Sequence, residues 1–150
     1  PNDHRMVDLS EATMLSLSME GGAMGRMRSA SLGGELKPIG EIVEAGDFWS
    51  VNGKVDGING DPLARLDRGQ NVRLKIVNDT AFPHAMHLHG IHFHEVAENG
   101  TLGPLRDTTL LERGQTREIA FVADNPGQWL LHCHMLSHAA SGMMTKIVVG

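Results

Sequence analysis

From residue 39 onward, apolar residues come in short runs divided by turn residues, and within the runs they tend to alternate with polar ones. A period of two places successive side chains on opposite faces of an extended strand. The pattern predicts strands over residues 39–45, 48–55, 72–77, 86–97, 107–111, 116–122, 127–133 and 143–149. Residues 72–77 alternate and then meet an Asn78-Asp79 turn, and Asn52-Gly53 marks a turn within the second run. Gly100, Gly103-Pro104, Gly114 and Asp124-Asn125-Pro126-Gly127 punctuate the others. Only residues 135–140 read as a short helix in this half of the chain. Many short strands at this spacing predict an all-β fold, an antiparallel β-sandwich. There is no internal repeat.

Residues 1–37 read differently. Between residues 10 and 34, Met14, Met19, Met24 and Met27 are scattered among Ser, Gly and Ala. There is no sustained period of two, and only a weak helical period over residues 9–19. The expectation is a Met/Gly/Ser-rich linker or surface segment with at most one short helix, ahead of a domain spanning 38–150. Thioethers bind Cu(I), so this segment is a candidate recruiter of cuprous ions, although an ordinary linker is the plainer reading.

Composition narrows the classes. With 150 residues the chain is long enough for one domain with its own core. A formal charge of −5 argues against nucleic acid, which selects a basic footprint. No apolar stretch is long enough to span a membrane, and no signal peptide is visible at the N-terminus. The chain opens at Pro1, which suggests a processed, excised or cloned piece. A single cysteine makes no internal disulfide, so cysteine pairing says nothing about redox compartment. The outlier is histidine: nine in all, eight of them between His84 and His138.

Those histidines form two motifs. His132-Cys133-His134, followed by His138 and Met143, gathers five candidate ligands within twelve residues around the only cysteine. On a strand, Cys133 faces one way while His132 and His134 face the other. One thiolate with two imidazoles and a weak thioether is the ligand set of a blue-copper electron-transfer site. The two flanking imidazoles then serve a second centre on the opposite face. Met144 competes with Met143, but the spacing from His138 favours Met143. In the other motif, His84-Ala85-Met86-His87-Leu88-His89, the residues His87 and His89 share a face, and His84 can turn towards the other site. The carboxylate-free donor set argues against calcium or magnesium. Structural zinc sites space their ligands differently, and a His-Cys-His tripeptide cannot wrap one tetrahedral ion. His92 and His94 read as exposed strand residues, and His4 carries no case. Trp129 and Phe121 are expected in the core. Asp107 is a candidate hydrogen-bond partner for a ligand imidazole, with a turn acceptor as the commoner role.

Together these residues resemble the multicopper oxidases (laccases, cuprous oxidases, bilirubin-oxidase-like and copper-resistance oxidases), and specifically their C-terminal cupredoxin domain. The resemblance runs from about residue 48 to residue 150 and takes in the 124–129 run. It implies a Greek-key β-sandwich and copper as the cofactor. By resemblance, His84, Cys133, His138 and axial Met143 bind type 1 copper, His87 binds type 2 copper, and His89, His132 and His134 bind the type 3 pair. The implied activity is that of a laccase-like oxidoreductase, coupling one-electron oxidation of a reducing substrate to reduction of O2 to water. The implied location is periplasmic or secreted.

The chain departs from the family pattern in three ways. The trinuclear cluster needs four further histidines from an N-terminal cupredoxin domain, which His4, His92 and His94 cannot replace. That domain, in the same oxidase or another subunit, is therefore an implied partner, and the chain alone is expected not to reduce O2. Ala139 stands where several bacterial members carry an acid, which favours the copper-resistance subgroup. Intact members have two or three such domains, so this chain is a piece or a subunit. The electron donor is open among phenols, aromatic amines, Cu(I), Fe(II) and Mn(II), with a tilt to Cu(I). Unpartnered, the four half-site histidines invite metal-mediated self-association. Two other classes stay open: a stand-alone blue-copper electron carrier, which has no use for four extra histidines, and a copper-binding or storage module.

Overall fold

The computed structural model describes residues 6–21, 29–32, 35–38, 49–52, 61–80, 82–134 and 144–150. Within them run a short 3-10 turn at Leu9–Glu11 and the strands β1 (Thr13–Gly21), β2 (Ser29–Leu32), β3 (Glu35–Pro38), β4 (Trp49–Val51), β5 (Ala64–Leu66) and β6 (Gln70–Thr80). Then come β7 (His84–Leu88), β8 (Phe93–Val96), β9 (Leu102–Arg106), β10 (Thr108–Leu111), β11 (Thr116–Ala123), β12 (Gly127–Cys133) and β13 (Met144–Val149). One sheet has the order β4-β1-β6-β11-β8-β9, the other β10-β7-β12-β13-β5, and β2 and β3 form a separate hairpin.

The two large sheets bury one apolar cluster between them, as an all-β sandwich must. From the first sheet come Leu17, Met19, Leu74, Ile76, Phe93, Ile119 and Phe121. From the second come Leu66, Met86, Leu88, Leu111, Leu131, Cys133, Ile147 and Val149. Each fully buried apolar side chain contributes about 1.5–3 kcal/mol. Alternation explains the choice of residues. On β6, Val72, Leu74 and Ile76 point inward, and the same parity carries Asn78 and Thr80 inward at the strand's end. On β12, Leu131 and Cys133 share the inner face.

The structure departs from the sequence reading in several places. Thr13–Gly21 is neither linker nor helix: it is a nine-residue strand paired in parallel with β6, and it buries Leu17 and Met19 completely. The gain from burying those two side chains outweighs the weak helical preference of the segment. A second parallel pair joins β5 to β13, so the sandwich is not purely antiparallel. The single strand expected over 86–97 is two strands in different sheets. Gly90 breaks it at φ +75, with the Trp129 ring so close that a Cβ on Gly90 would lie 2.2 Å from a ring carbon. The 72–77 strand continues through Asn78 to Thr80, because the Asn78 side chain finds backbone partners inside the fold. Of the 48–55 strand, Trp49–Val51 is β4, and Asn52 follows it at φ 50. The expected strand at 39–45 and the helix at 135–140 lie outside the described residues.

Candidate metal centre

β7 and β12 lie side by side in register, with Leu88 opposite Leu131, His87 opposite His132 and Met86 opposite Cys133. Because partners across a ladder share a face, this register sorts the histidines. His84, two residues before Met86, joins Cys133 on the inner face. His87 and His132 share the outer face, and His89 and His134 extend it at the strand ends. Two backbone bonds tie those ends down: His89 N donates to Leu130 O at 2.9 Å, and His134 N donates to Ala85 O at 2.6 Å.

On the inner face, His84 is 1% exposed and Cys133 0%. The His84 Nδ1 stands 3.7 Å from the Cys133 Sγ. Its other ring nitrogen, Nε2, is 2.7 Å from the Thr80 hydroxyl, and that hydroxyl is 2.6 Å from the Asn78 Oδ1. Asn78, itself fully buried, donates through Nδ2 to the carbonyls of Phe82, Leu111 and Glu112. His138 and Met143, which the sequence assigns to this site, lie outside the described residues.

The outer face gathers the other four imidazoles. Ring centroids are 4.4 Å apart for His87 and His89, 5.0 Å for His89 and His132, and 5.3 Å for His87 and His134. His87 Nδ1 donates to the Asp107 carbonyl at 3.0 Å and lies 3.0 Å from the Thr108 hydroxyl, which leaves its Nε2 as the basic nitrogen. His132 Nδ1 donates to the Cys133 carbonyl at 2.6 Å, with the same consequence. The Nε2 atoms of His89 and His132 approach to 2.8 Å, so these two side chains converge on one point. Partial desolvation of the ring among its neighbours first, and then the positive charge that His87, His132 and His134 carry when protonated, hold the pKa of the otherwise exposed His89 below the ordinary histidine value, while Asp107 pulls the other way. Among the described residues no three His, Cys, Asp or Glu side chains converge to hold an ion by themselves. The described outer face therefore offers ligand pairs.

The remaining expectations divide. Asp107 does serve a candidate ligand, but through its backbone carbonyl; its carboxylate is 3.9 Å from His87 Nδ1. His92 is exposed as expected, whereas His94 is partly buried, with Nδ1 2.7 Å from the Gly103 carbonyl. Phe121 is in the core, and Trp129 packs partly buried against it, its indole N–H donating to Asn125 O. Met19 is fully buried and Met14 is 62% exposed; Met24 and Met27 lie outside the described residues. The sequence marks Asn78 only as a turn residue and gives Thr80 no role, whereas both lie within β6. Their only local signal is parity, since both share the inward phase of Leu74 and Ile76.

The donor chemistry fits copper. A buried thiol beside an imidazole nitrogen on one face, and imidazole pairs on the other, are soft and borderline ligands of the kind copper selects. Residues 35–150 match the family model described as multicopper oxidase. The chain is 35% identical over 99 residues to the multicopper oxidase MmcO of Mycobacterium tuberculosis, covering 66% of this chain and 19% of that protein. It is 38% identical over 101 residues to a copper resistance protein A homolog of Pseudomonas syringae pv. tomato, covering 67% of this chain and 17% of that one. Among solved structures it is similar to Lac15 from a marine microbial metagenome, at 38% identity and a TM-score of 0.64, covering 99% of this chain and 29% of that one. A multi-copper oxidase from Pseudomonas thermotolerans superposes with a TM-score of 0.73 at 27% identity, covering 99% of this chain and 32% of the other. The chain thus spans less than a fifth of the length of these curated relatives.

Proposed function

The chain belongs to the multicopper oxidase family, and from that premise we propose that it is the C-terminal cupredoxin domain of such an oxidase, carrying the type 1 site and half of the trinuclear site. In the whole protein it would couple one-electron oxidation of a small reducing substrate or Cu(I) to reduction of O2 to water. The observation that carries this reading is the sorting of ligands by strand face: His84 and Cys133 inside, His87, His89, His132 and His134 outside, on the same two strands.

His84 and Cys133, with His138 and Met143, are assigned to type 1 copper. His87 is assigned to type 2 copper, and His89, His132 and His134 to the type 3 pair. Bound copper supplies the one-electron redox chemistry. The chain's own part is to hold the donors and join the two centres. Cys133 presents its sulfur inside the core, where water is excluded, and the peptide bonds on either side lead directly to His132 and His134. A second link runs from the Cys133 carbonyl to His132 Nδ1, at 2.6 Å. His89 and His132, with Nε2 atoms converging, are suited to share one ion. The missing ligands come from an N-terminal cupredoxin domain docked against the outer face. Without it, that face binds zinc or copper on its own, or bridges two copies of this chain. The family resemblance implies a periplasmic or secreted setting. Among the described residues no helix is long and apolar enough to cross a membrane.

The test is addition of Cu(II) to the purified chain. An intense thiolate-to-Cu(II) absorption is expected, without O2 consumption, and Cys133→Ser should abolish it. A band that survives in Cys133→Ser would sink the assignment.

A further inference from the structure

The buried polar chain behind His84 has a direction. Asn78 Nδ2 lies against three carbonyls, those of Phe82 at 2.8 Å, Leu111 at 3.3 Å and Glu112 at 3.0 Å. A carbonyl only accepts, so the amide nitrogen must point there, and Oδ1 must point the other way. Oδ1 then accepts from Thr80 N at 3.2 Å and from the Thr80 hydroxyl at 2.6 Å. Thr80 has one hydroxyl hydrogen. The Phe82 carbonyl has a second lone pair free of Asn78, but at 3.0 Å from the hydroxyl it is the weaker acceptor beside Asn78 Oδ1 at 2.6 Å. If the hydrogen went to His84 instead, the Thr80 and Asn78 oxygens would face each other at 2.6 Å with no proton between them, a costly arrangement in a site where Asn78 is 0% and Thr80 5% exposed. The hydrogen therefore goes to Asn78, and His84 Nε2–H donates to Thr80 Oγ1 across 2.7 Å.

We infer that Thr80, locked by Asn78, is a positioning residue that fixes the His84 ring as its Nε2–H tautomer, so that Nδ1 is the basic nitrogen presented to Cys133. A ring nitrogen must be deprotonated to ligate a metal, and the bond made by the other nitrogen decides which one that is. In this fold the decision is made by a threonine hydroxyl at the inner end of β6, before any metal arrives. The inference rests on the reading of His84 and Cys133 as copper ligands for its consequence, but the tautomer itself is a property of the metal-free chain.

Two measurements keep these apart. In the metal-free chain, long-range 1H–15N correlation should show His84 protonated at Nε2 and not at Nδ1; the opposite tautomer overturns the inference whether or not the chain binds copper. With Cu(II) itself as the probe, chelator competition should show Thr80→Val binding about 10–100-fold more weakly than the parent. Its thiolate-to-Cu(II) band and Cu(II) hyperfine splitting should shift as well. Thr80→Ser keeps the hydroxyl and should restore the parent affinity and spectrum. Parental binding and spectrum in Thr80→Val, or a Thr80→Ser chain that behaves like Thr80→Val, would overturn it. Because serine retains both hydrogen bonds, that arm remains decisive even if the valine variant does not fold. A parent chain with no blue band but the Nε2–H tautomer would instead count against the copper assignment alone.

Discussion

The two faces of β7 and β12 hold their imidazoles by different means. Inside, His84 is held between a threonine hydroxyl and the only cysteine, in a packed apolar core. Outside, His89 and His134 are exposed, and His87 and His132 are anchored at Nδ1 by backbone carbonyls. The shortest bond between two side chains on that face runs from one imidazole to another, His89 to His132 at 2.8 Å. A ring fixed by a hydroxyl within close packing cannot turn without disturbing the core. A ring fixed by a second titratable ring loses its partner when the accepting nitrogen is protonated or when either of the two facing nitrogens takes up a metal. One pair of strands thus presents a pre-set site on one face and an adaptable one on the other. The adaptable face is the one whose ligand set, on the reading above, is completed from outside the chain.

Ligand removal separates the faces most sharply. Replacing both His132 and His134 with alanine should leave the blue absorption in place, while metal bound per chain falls to one and metal-dependent self-association disappears. Cys133→Ser should do the reverse. Metal analysis after gel filtration, with absorption spectra of the same fractions, reads both. Loss of the blue band in the double variant would mean that the faces are not independent.

A second substitution asks whether both faces depend on the N-terminal strand. Leu17 is fully buried on β1 within the common core, so Leu17→Ala should cost about 2–5 kcal/mol of stability in urea unfolding. Both faces should weaken together. A loss below about 0.5 kcal/mol is the size expected at the surface and would place β1 outside the core.

Gly90→Ala tests the outer face more narrowly. Its backbone lies at φ +75, and the added methyl group would meet the Trp129 ring at 2.2 Å. Left-handed strain and overpacking together should cost about 2–4 kcal/mol. Gly90 directly follows His89, so metal binding at the outer face should weaken before the blue band does. Trp129 fluorescence reports the displaced ring, and an unmoved emission spectrum would argue against the contact.

How far the chain can be read without coordinates follows the same division. Residues 127–133 are a strand with the bounds that alternation predicts, and the sorting of Cys133 from its flanking histidines follows from parity alone. The N-terminal strand was hidden for a local reason. Leu15, Leu17 and Met19 do alternate with Ser16 and Ser18, but Met14 interrupts the phase and the surroundings are rich in glycine and methionine. The break at Gly90 depends on Trp129, 39 positions later, and no local pattern carries that contact. Asn78 and Thr80 look like the polar end of a strand. Their roles depend on carbonyls at Leu111 and Glu112, more than thirty residues away, which only the folded sandwich brings close.

The smallest effect expected is a pKa, and it bears directly on the adaptable face. His89 is exposed as a residue, but its ring loses part of its water to the neighbouring imidazoles. That desolvation first, and then the charges of His87, His132 and His134, disfavour the imidazolium, so its pKa in the metal-free folded chain lies below the ordinary 6.5. The unfolded chain therefore takes up this proton more readily than the folded one. Where the unfolded state binds more protons, stability rises with pH. For His89 this means that folded stability is lost as pH falls through the ordinary histidine range and is restored above it. His132→Ala removes a charged neighbour and the ring packed beside His89, so the His89 midpoint should move up in an NMR titration of the metal-free chain. A parent midpoint at or above 6.5, or one that ignores His132→Ala, would mean that the outer imidazoles do not sense one another, and the contrast between the faces would lose its electrostatic half.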